Sequence, residues 1–303
     1  KQIIIRGNSP NGLLWRMEGI EIPDPTHFAE EGNGAGFLSI LSSNMLSNSD
    51  FYTGAFPSEF NNAFSGIFDI KLRKGNSEKR EYSFQIGLLG TDLSLEGPLN
   101  KNHNASYLVN YRYSTLALIQ DIGISIEGAP KYQDLSFKLF LPTKKLGIFS
   151  IWGLGGLSAN QGTEPEKDSS LWVSQESKRK SYFGTGMGAV GITNLYRINS
   201  KSYIRTVVSS SGNFSEEDVS ELLGNYHYRK FYEDNYKNYA FRINSFYNVK
   251  VNSKLSSRFG FTYNKIGFHC FARKNDDGIM STQNKETGQT SSIYIFNQNK
   301  YYL

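Results

Sequence analysis

Few side chains in this sequence are spaced for covalent chemistry. Gly186-Met187-Gly188-Ala189-Val190-Gly191 matches the G-x-G-x-x-G pattern of dinucleotide sites. Such a site needs a strand before the glycines and a helix after them, so that the helix N-terminus meets a pyrophosphate. Here the motif runs into Ile192-Thr193-Asn194-Leu195-Tyr196, which reads as strand. Small residues on a strand face, where another unit packs, are the better reading. The four histidines, His27, His103, His227 and His269, are scattered. His269 and Cys270 are neighbours, but adjacent strand residues point to opposite faces and cannot readily share a metal. Two acidic groups, Glu216-Glu217-Asp218 and Asn275-Asp276-Asp277-Gly278, read as long polar loops. Either could meet Ca²⁺, but neither has EF-hand spacing, and solvated loop charge is the default. There is no G-x-S-x-G, H-E-x-x-H or Walker sequence. No acid, base and nucleophile set can be assembled. An enzyme is therefore the least favoured class, and no cofactor is expected.

The elements around these residues are strands. From Ser106, one face reads Tyr107, Val109, Tyr111, Tyr113 and the other Ser106, Leu108, Asn110, Arg112, Ser114. From Tyr239, the faces are Tyr239, Phe241, Ile243, Ser245, Tyr247, Val249 and Ala240, Arg242, Asn244, Phe246, Asn248, Lys250. Leu255 to Asn264 alternates in the same way. This is period-2 patterning with one aromatic face and one polar face. The stretches 146–158 and 182–195 alternate poorly. Ten strands are predicted, near 79–89, 91–99, 104–118, 132–142, 146–158, 178–198, 202–215, 236–250, 255–271 and 290–303. The first two depend on a tight turn at Leu89-Gly90-Thr91; without it the count is nine. Short turns fall at 100–102, 142–145, 199–201 and 252–254. Long polar stretches, near 119–131, 159–177, 216–235 and 272–289, separate them. Short turns at one end and long loops at the other suit an outer-membrane barrel. So do strands longer than the ~5–6 residues usual in soluble sheets.

Composition agrees. The 303 residues include 19 Tyr, 21 Phe, 3 Trp and 29 Gly, while the hydrophobic fraction is only 38%. Disordered chains are aromatic-poor, so disorder is disfavoured. The one cysteine excludes an internal disulfide framework and a Cys-cluster metal site. No run approaches the ~18 apolar residues of a membrane-spanning helix, yet barrel strands cross lipid without one. The net charge of +5 comes from dispersed lysines and arginines, not from a cluster on one face, so no nucleic acid partner is expected. Several lysines (Lys101, Lys144, Lys145, Lys201, Lys254) lie in the short turns, as suits a periplasmic rim.

Before about residue 76 the pattern differs. Short strands alternate with turns such as Pro23-Asp24-Pro25 and with Gly32-Asn33-Gly34-Ala35-Gly36. Ile3-Ile4-Ile5-Arg6-Gly7-Asn8, followed by Trp15-Arg16-Met17-Glu18-Gly19-Ile20, resembles the plug domain of TonB-dependent outer-membrane receptors, in which an I-R-G strand precedes a D-G-V hairpin; Glu18 replaces the usual Asp. Gly54, Pro57, Asn61, Ala63, Gly66, Ile67 and Ile70 match the plug's closing motif, and Glu96-Gly97-Pro98-Leu99 resembles the end of an early barrel strand. These residues also make physical sense alone. Gly7, Gly19 and Gly54 allow positive φ at tight turns, Pro57 fixes a turn start, and Gly66 lets another backbone approach. Arg6, and with less support Arg16, is expected to pair with carboxylates on a barrel's polar inner face.

The resemblance implies a mainly β fold: a partial plug, residues 1–76, then about the first ten strands of an antiparallel transmembrane barrel, 77–303. It implies the bacterial outer membrane, hence contact with its lipid. It implies active uptake of a scarce nutrient (siderophore, cobalamin, glycan or peptide) powered by TonB. Both ends read as strand, so a piece of a longer protein is expected, with the TonB-contact segment preceding Lys1. The family also admits a surface lipoprotein partner. The plug loop Asp24, Pro25, His27 and Phe28 is the candidate nutrient contact, because it joins plug strands and mixes polar and aromatic groups. The competing readings are a passive porin-like barrel, which should lack an N-terminal plug, and a surface β-sandwich that binds glycans.

Overall fold

The computed structural model describes residues 3–9, 12–29, 36, 38–60, 62–101, 104–124, 126, 129–162, 164–165, 175–223 and 227–302. Gly32–Ala35, Asn61 and His103 lie outside them. The N-terminal unit is built on a four-stranded sheet of β1 (Leu13–Met17), β2 (Ile20–Glu21), β5 (Asp50–Tyr52) and β6 (Gly66–Ile70), in the order β2-β1-β6-β5. In it β1 runs parallel to β6 and the other pairs are antiparallel. A separate ribbon joins β3 (Thr26–His27) to β4 (Leu38–Ser39). Glu18-Gly19 closes the β1–β2 hairpin with both residues at positive φ, 50° and 86°. That is the twist a two-residue hairpin loop requires, and Gly accepts it without strain. Arg6 and Gly7 repeat the geometry between the bridged residues Ile5 and Asn8. Ile3 to Arg6 therefore forms a turn with one bridge, not the expected strand. Gly54 does not take positive φ; Ala55 beside it does, at 52°.

The rest is one antiparallel sheet in chain order: β7 (Glu81–Ile86), β8 (Gly90–Pro98), β9 (Ser106–Ser114), β10 (Lys131–Pro142), β11 (Ile148–Gln161), β12 (Arg179–Asn199), β13 (Ser202–Leu222), β14 (Tyr228–Lys250), β15 (Leu255–Asp276) and β16 (Ile279–Tyr301). The sheet is a wall not closed on itself, since β7 and β16 are its two edges. Ten strands stand where ten were predicted, and the turn between the first two spans 87–89, with Gly87 N–H donating to Gly90 O.

Two long loops are corrected. The stretches 216–235 and 272–289 are mostly strand: β13 runs to Leu222, β14 starts at Tyr228, and β15 passes to β16 through Asp277-Gly278, whose φ values of 54° and 94° make another tight hairpin. Long and short connections therefore do not strictly alternate. The last part of the strand expected over 104–118 is instead the helix α1 (Thr115–Asp121), capped by the Ser114 hydroxyl, which accepts from Ala117 N–H.

Alternation fixes which side of the wall meets the N-terminal unit. On β9 Ser106, Leu108, Asn110 and Ser114 are fully buried, while Tyr111 is exposed. On β14 Ala240, Arg242, Asn244 and Phe246 are buried, while Tyr239, Phe241 and Tyr247 face out. The outward side carries an apolar band that includes Val190, Ile192, Val208, Phe259, Phe261, Ile293 and Ile295. A sheet with its polar face inward and its apolar face outward suits lipid, not water. The weakly alternating strands have a separate cause: their inner face is apolar because the N-terminal unit packs there. Met17, Ile20, Ile22, Ile40, Met45, Ile70 and Leu72 form one core with Leu108, Trp152, Leu154, Met187, Ala189 and Val207 of the wall.

Candidate functional site

The loop after β2 runs from the core up the wall. Of its four candidate residues, three are occupied in holding it. Pro25 is fully buried, and its carbonyl accepts from Ile40 N–H at 2.8 Å. His27, 1% exposed, places Nε2 at 2.9 Å from Asp134 Oδ2 on β10 and its ring 4.6 Å from that of Tyr132. Arg112 on β9 grips the same carboxylate, with Nη2 at 2.8 Å from Asp134 Oδ2. Phe28 takes positive φ, 60°, and its N–H donates to Ser158 Oγ at 3.0 Å.

Asp24 is different. It lines a cavity of about 410 Å³ between the N-terminal unit and strands β12 to β14. Leu14, Ile22 and Met187 form apolar parts of the lining, and Glu21, Thr26, Ser211 and Arg242 form polar parts. The volume lies within the usual ~300–1,000 Å³ of ligand sites. Thr26 Oγ1 donates to Asp24 Oδ1 at 2.8 Å and accepts from Gly36 N–H, which fixes the loop. Burial pushes the Asp24 carboxyl up to about 6, and the Thr26 hydroxyl opposes that shift only in part.

Beneath and beside the cavity, ion pairs tie the two units together. Glu18, 6% exposed, accepts from Lys138 Nζ on β10 at 2.7 Å and from Leu72 N–H at 2.9 Å. Its carbonyl accepts from Arg205 Nη2 on β13 at 2.9 Å. Glu59 joins Arg16 of its own unit, at 3.2 Å, to Arg258 of β15. Glu21 meets Arg242 Nη2 at 3.2 Å, and Arg242 Nη1 donates to Ser211 Oγ at 2.9 Å. Arg73 makes a two-pronged pair with Glu96 of β8, at 2.7 and 2.8 Å. The expected polarity is thus mostly reversed, with carboxylates on the inner unit and cations on the wall. Among the described residues Arg6 meets no carboxylate; its Nη2 donates to Thr53 Oγ1 at 3.4 Å. Arg16 pairs, but with Glu59 of its own unit.

The remaining motif residues are structural. Gly66 is buried, and a Cβ there would lie 2.5 Å from Ile5 Cδ1. Pro57 opens a turn in which Phe60 N–H donates back to its carbonyl at 3.0 Å. A Cβ on Gly54 would lie 2.8 Å from Arg6 Nη1. The G-x-G-x-x-G segment lies within β12, with no helix after it. Its glycines divide between the two faces, because Gly191 pairs with Trp152 while Gly186 and Gly188 lie an odd number of residues away. Glu216, Glu217 and Asp218 are strand residues of β13 and alternate in direction, and Asp218 pairs with Lys230 at 2.7 Å. Among the described residues no three His, Cys, Asp or Glu gather as metal ligands.

The sequence pattern placed Arg242 and Asn110 on the inward face, but the cavity lining Glu21, Ser211 and Arg242 was not singled out. Its only signal was Arg242 on the polar face of its strand.

No protein-family model and no curated protein matches the chain. Solved structures do. The pyoverdine outer membrane receptor FpvA of Pseudomonas aeruginosa PAO1, bound to pyoverdine, aligns with a TM-score of 0.66 at 10% identity, over 97% of this chain and 48% of that one. BauA, the ferric preacinetobactin receptor of Acinetobacter baumannii, aligns at 0.56 and 10% identity, over 97% and 48%. The outer membrane transporter YddB of Escherichia coli aligns at 0.55 and 13%, over 99% and 48%. The chain therefore spans about half the length of the structures it matches. The small sheets answer to a plug and the ten strands to part of a barrel wall, and the chain has the plug-and-barrel fold of TonB-dependent outer-membrane receptors.

Proposed function

We propose that residues 1–76 are the C-terminal part of the plug and 77–303 the first ten barrel strands of an importer that takes a scarce nutrient across the bacterial outer membrane, driven by TonB. One observation carries this reading. The plug is fastened to the wall by charge pairs from Glu18 to Lys138 and from Glu59 to Arg258. A passive pore has no use for such an obstruction. The apolar band on the outer face supports the membrane setting.

The geometry also fits a cycle. The nutrient cavity has one wall on the plug and the other on the barrel. Any pull that moves the plug opens a path and dismantles the site together, so release follows from displacement. In this reading Asp24 touches the nutrient, while Pro25, His27 and Phe28 hold the loop in place. The full-length protein in planar bilayers should be closed at rest. A large, constitutively open conductance would overturn the proposal in favour of a porin.

A further inference from the structure

The cavity has an uncommon charge balance. Its lining includes two carboxylates, Asp24 and Glu21, and one cation, Arg242, among the described residues. Arg242 is already committed, to Glu21 Oε1 at 3.2 Å and Ser211 Oγ at 2.9 Å. Among the described residues Asp24 meets no cation: its side-chain partner is the neutral hydroxyl of Thr26. His27, three residues on, is turned away toward Asp134. A half-buried carboxylate without a counter-ion is costly, and such a group in a cleft marks a ligand site. We infer that this cavity is a subsite for an organic cation, an amine or guanidinium carried on an apolar body, with the Asp24 carboxylate as its counter-ion.

Three arguments narrow the ligand class. An anion would meet Asp24 with no uncommitted cation in the lining, among the described residues, to compensate. A bare metal ion is ill suited, because hard cations take six or more oxygen ligands and no three-ligand group is present among the described residues. The apolar lining, Leu14, Ile22 and Met187, asks for a carbon skeleton around the charge. The direction of the Asp24 shift adds a condition. Its carboxyl ionises at about 6, so the counter-ion exists at neutral pH and is lost in mild acid. Glu21 and Arg242, the other charged groups of the lining, neutralise each other.

This inference rests on the cavity being the importer's nutrient site, and its test is independent of the conductance measurement. Three matched probes, the N-acetyl amides of lysyl-tyrosine, glutaminyl-tyrosine and glutamyl-tyrosine, are titrated calorimetrically into the full-length protein in detergent. At neutral pH the lysyl probe should bind about tenfold more tightly than the glutamyl probe, with the glutaminyl probe between them. Below about pH 5 the gap should close as Asp24 takes up its proton. Asp24→Asn should close it at both pH values, and Asp24→Glu should restore it, which reports an intact fold. No binding by any probe, a preference for the glutamyl probe, or a lysyl preference that survives Asp24→Asn would each overturn the assignment. A protein closed in bilayers that nevertheless fails this test remains an importer, of a different class of cargo.

Discussion

Asp24 carries a cost that can be measured without any ligand. Burial raises its carboxyl from 3.8 to about 6. An acid raised in the folded state binds its proton more tightly there than in the unfolded chain. Its stabilising contribution is therefore full below the unfolded value and is lost as pH rises through the window from 3.8 to about 6. Above that window the ionised carboxylate costs at most about 3 kcal/mol. Asp24→Asn should accordingly raise the apparent thermal midpoint of the full-length protein at neutral pH and leave it unchanged below about pH 4. A neutral or lowered midpoint at neutral pH would show that Asp24 is better compensated than its single hydroxyl partner implies. Asp24 was legible in the sequence as a candidate because its loop joins plug strands and mixes polar and aromatic groups. Its lack of a cation was not legible, because pairing depends on which strand faces it. The same limit explains Arg6 and Arg16. A motif placed both guanidiniums in the plug, but only the register of Glu59 and Arg258 decides which one becomes part of a charge chain.

Strands were read well where a polar inner face opposes an apolar outer face, since that contrast produces period 2; where the apolar core of the N-terminal unit packs on β11 and β12, both faces are apolar and the alternation fades. Beyond that zone both faces are polar. Ser215 to Ser220 and Asn284 to Ser291 carry no alternation, although they are paired residue for residue with their neighbours. Their extension follows from the hairpins that continue them, as at Asp277-Gly278, and not from a hydrophobic pattern. Glycines on β12 make a sharper case. Gly191 faces the buried ring of Trp152, and a Cβ there would lie 2.4 Å from Cζ2. Trp152 in turn donates to Thr193 Oγ1 at 3.1 Å and belongs to the core shared with the plug. At Gly188, on the outward face, the nearest atom to a Cβ is Leu154 O, at 3.8 Å. Gly191→Val should therefore lose about 1–3 kcal/mol through overpacking and increase protease access to the plug. Gly188→Val should be nearly silent in both assays. Equal effects at the two positions would mean that Trp152 can swing aside freely, and that the shared core does not fix the plug.

At the scale of the whole molecule, the plug is tied at several points to separate strands: Glu18 to β10 and β13, Glu59 to β15, Glu21 to β14, Arg73 to β8. The sequence announced a plug and a wall through motifs and alternation, but these ties could not be read from it, because they join residues up to 221 positions apart. Burial ranks them. Glu18 and Lys138 are 7% and 9% exposed at the side chain, whereas Glu21 is 33% exposed; each cation keeps a neutral second acceptor, Lys138 in the Leu72 carbonyl and Arg242 in Ser211. Removing one member of a buried pair leaves the other charge uncompensated, at about 3–5 kcal/mol, while an accessible pair is worth about 1 kcal/mol or less. Glu18→Gln should thus leave the buried Lys138 charge with only the neutral Leu72 carbonyl and weaken the hold on Arg205 in a single step, whereas Glu21→Gln removes a more accessible partner from Arg242. In planar bilayers the first variant of the full-length protein should show frequent openings and the second should stay near the closed behaviour of the parent. The ratio matters more than either value. If both variants open equally, the plug is retained by total charge and not by the buried pair. If neither opens, the shared apolar core around Trp152 holds the plug alone, and any displacement of the plug must first separate that core.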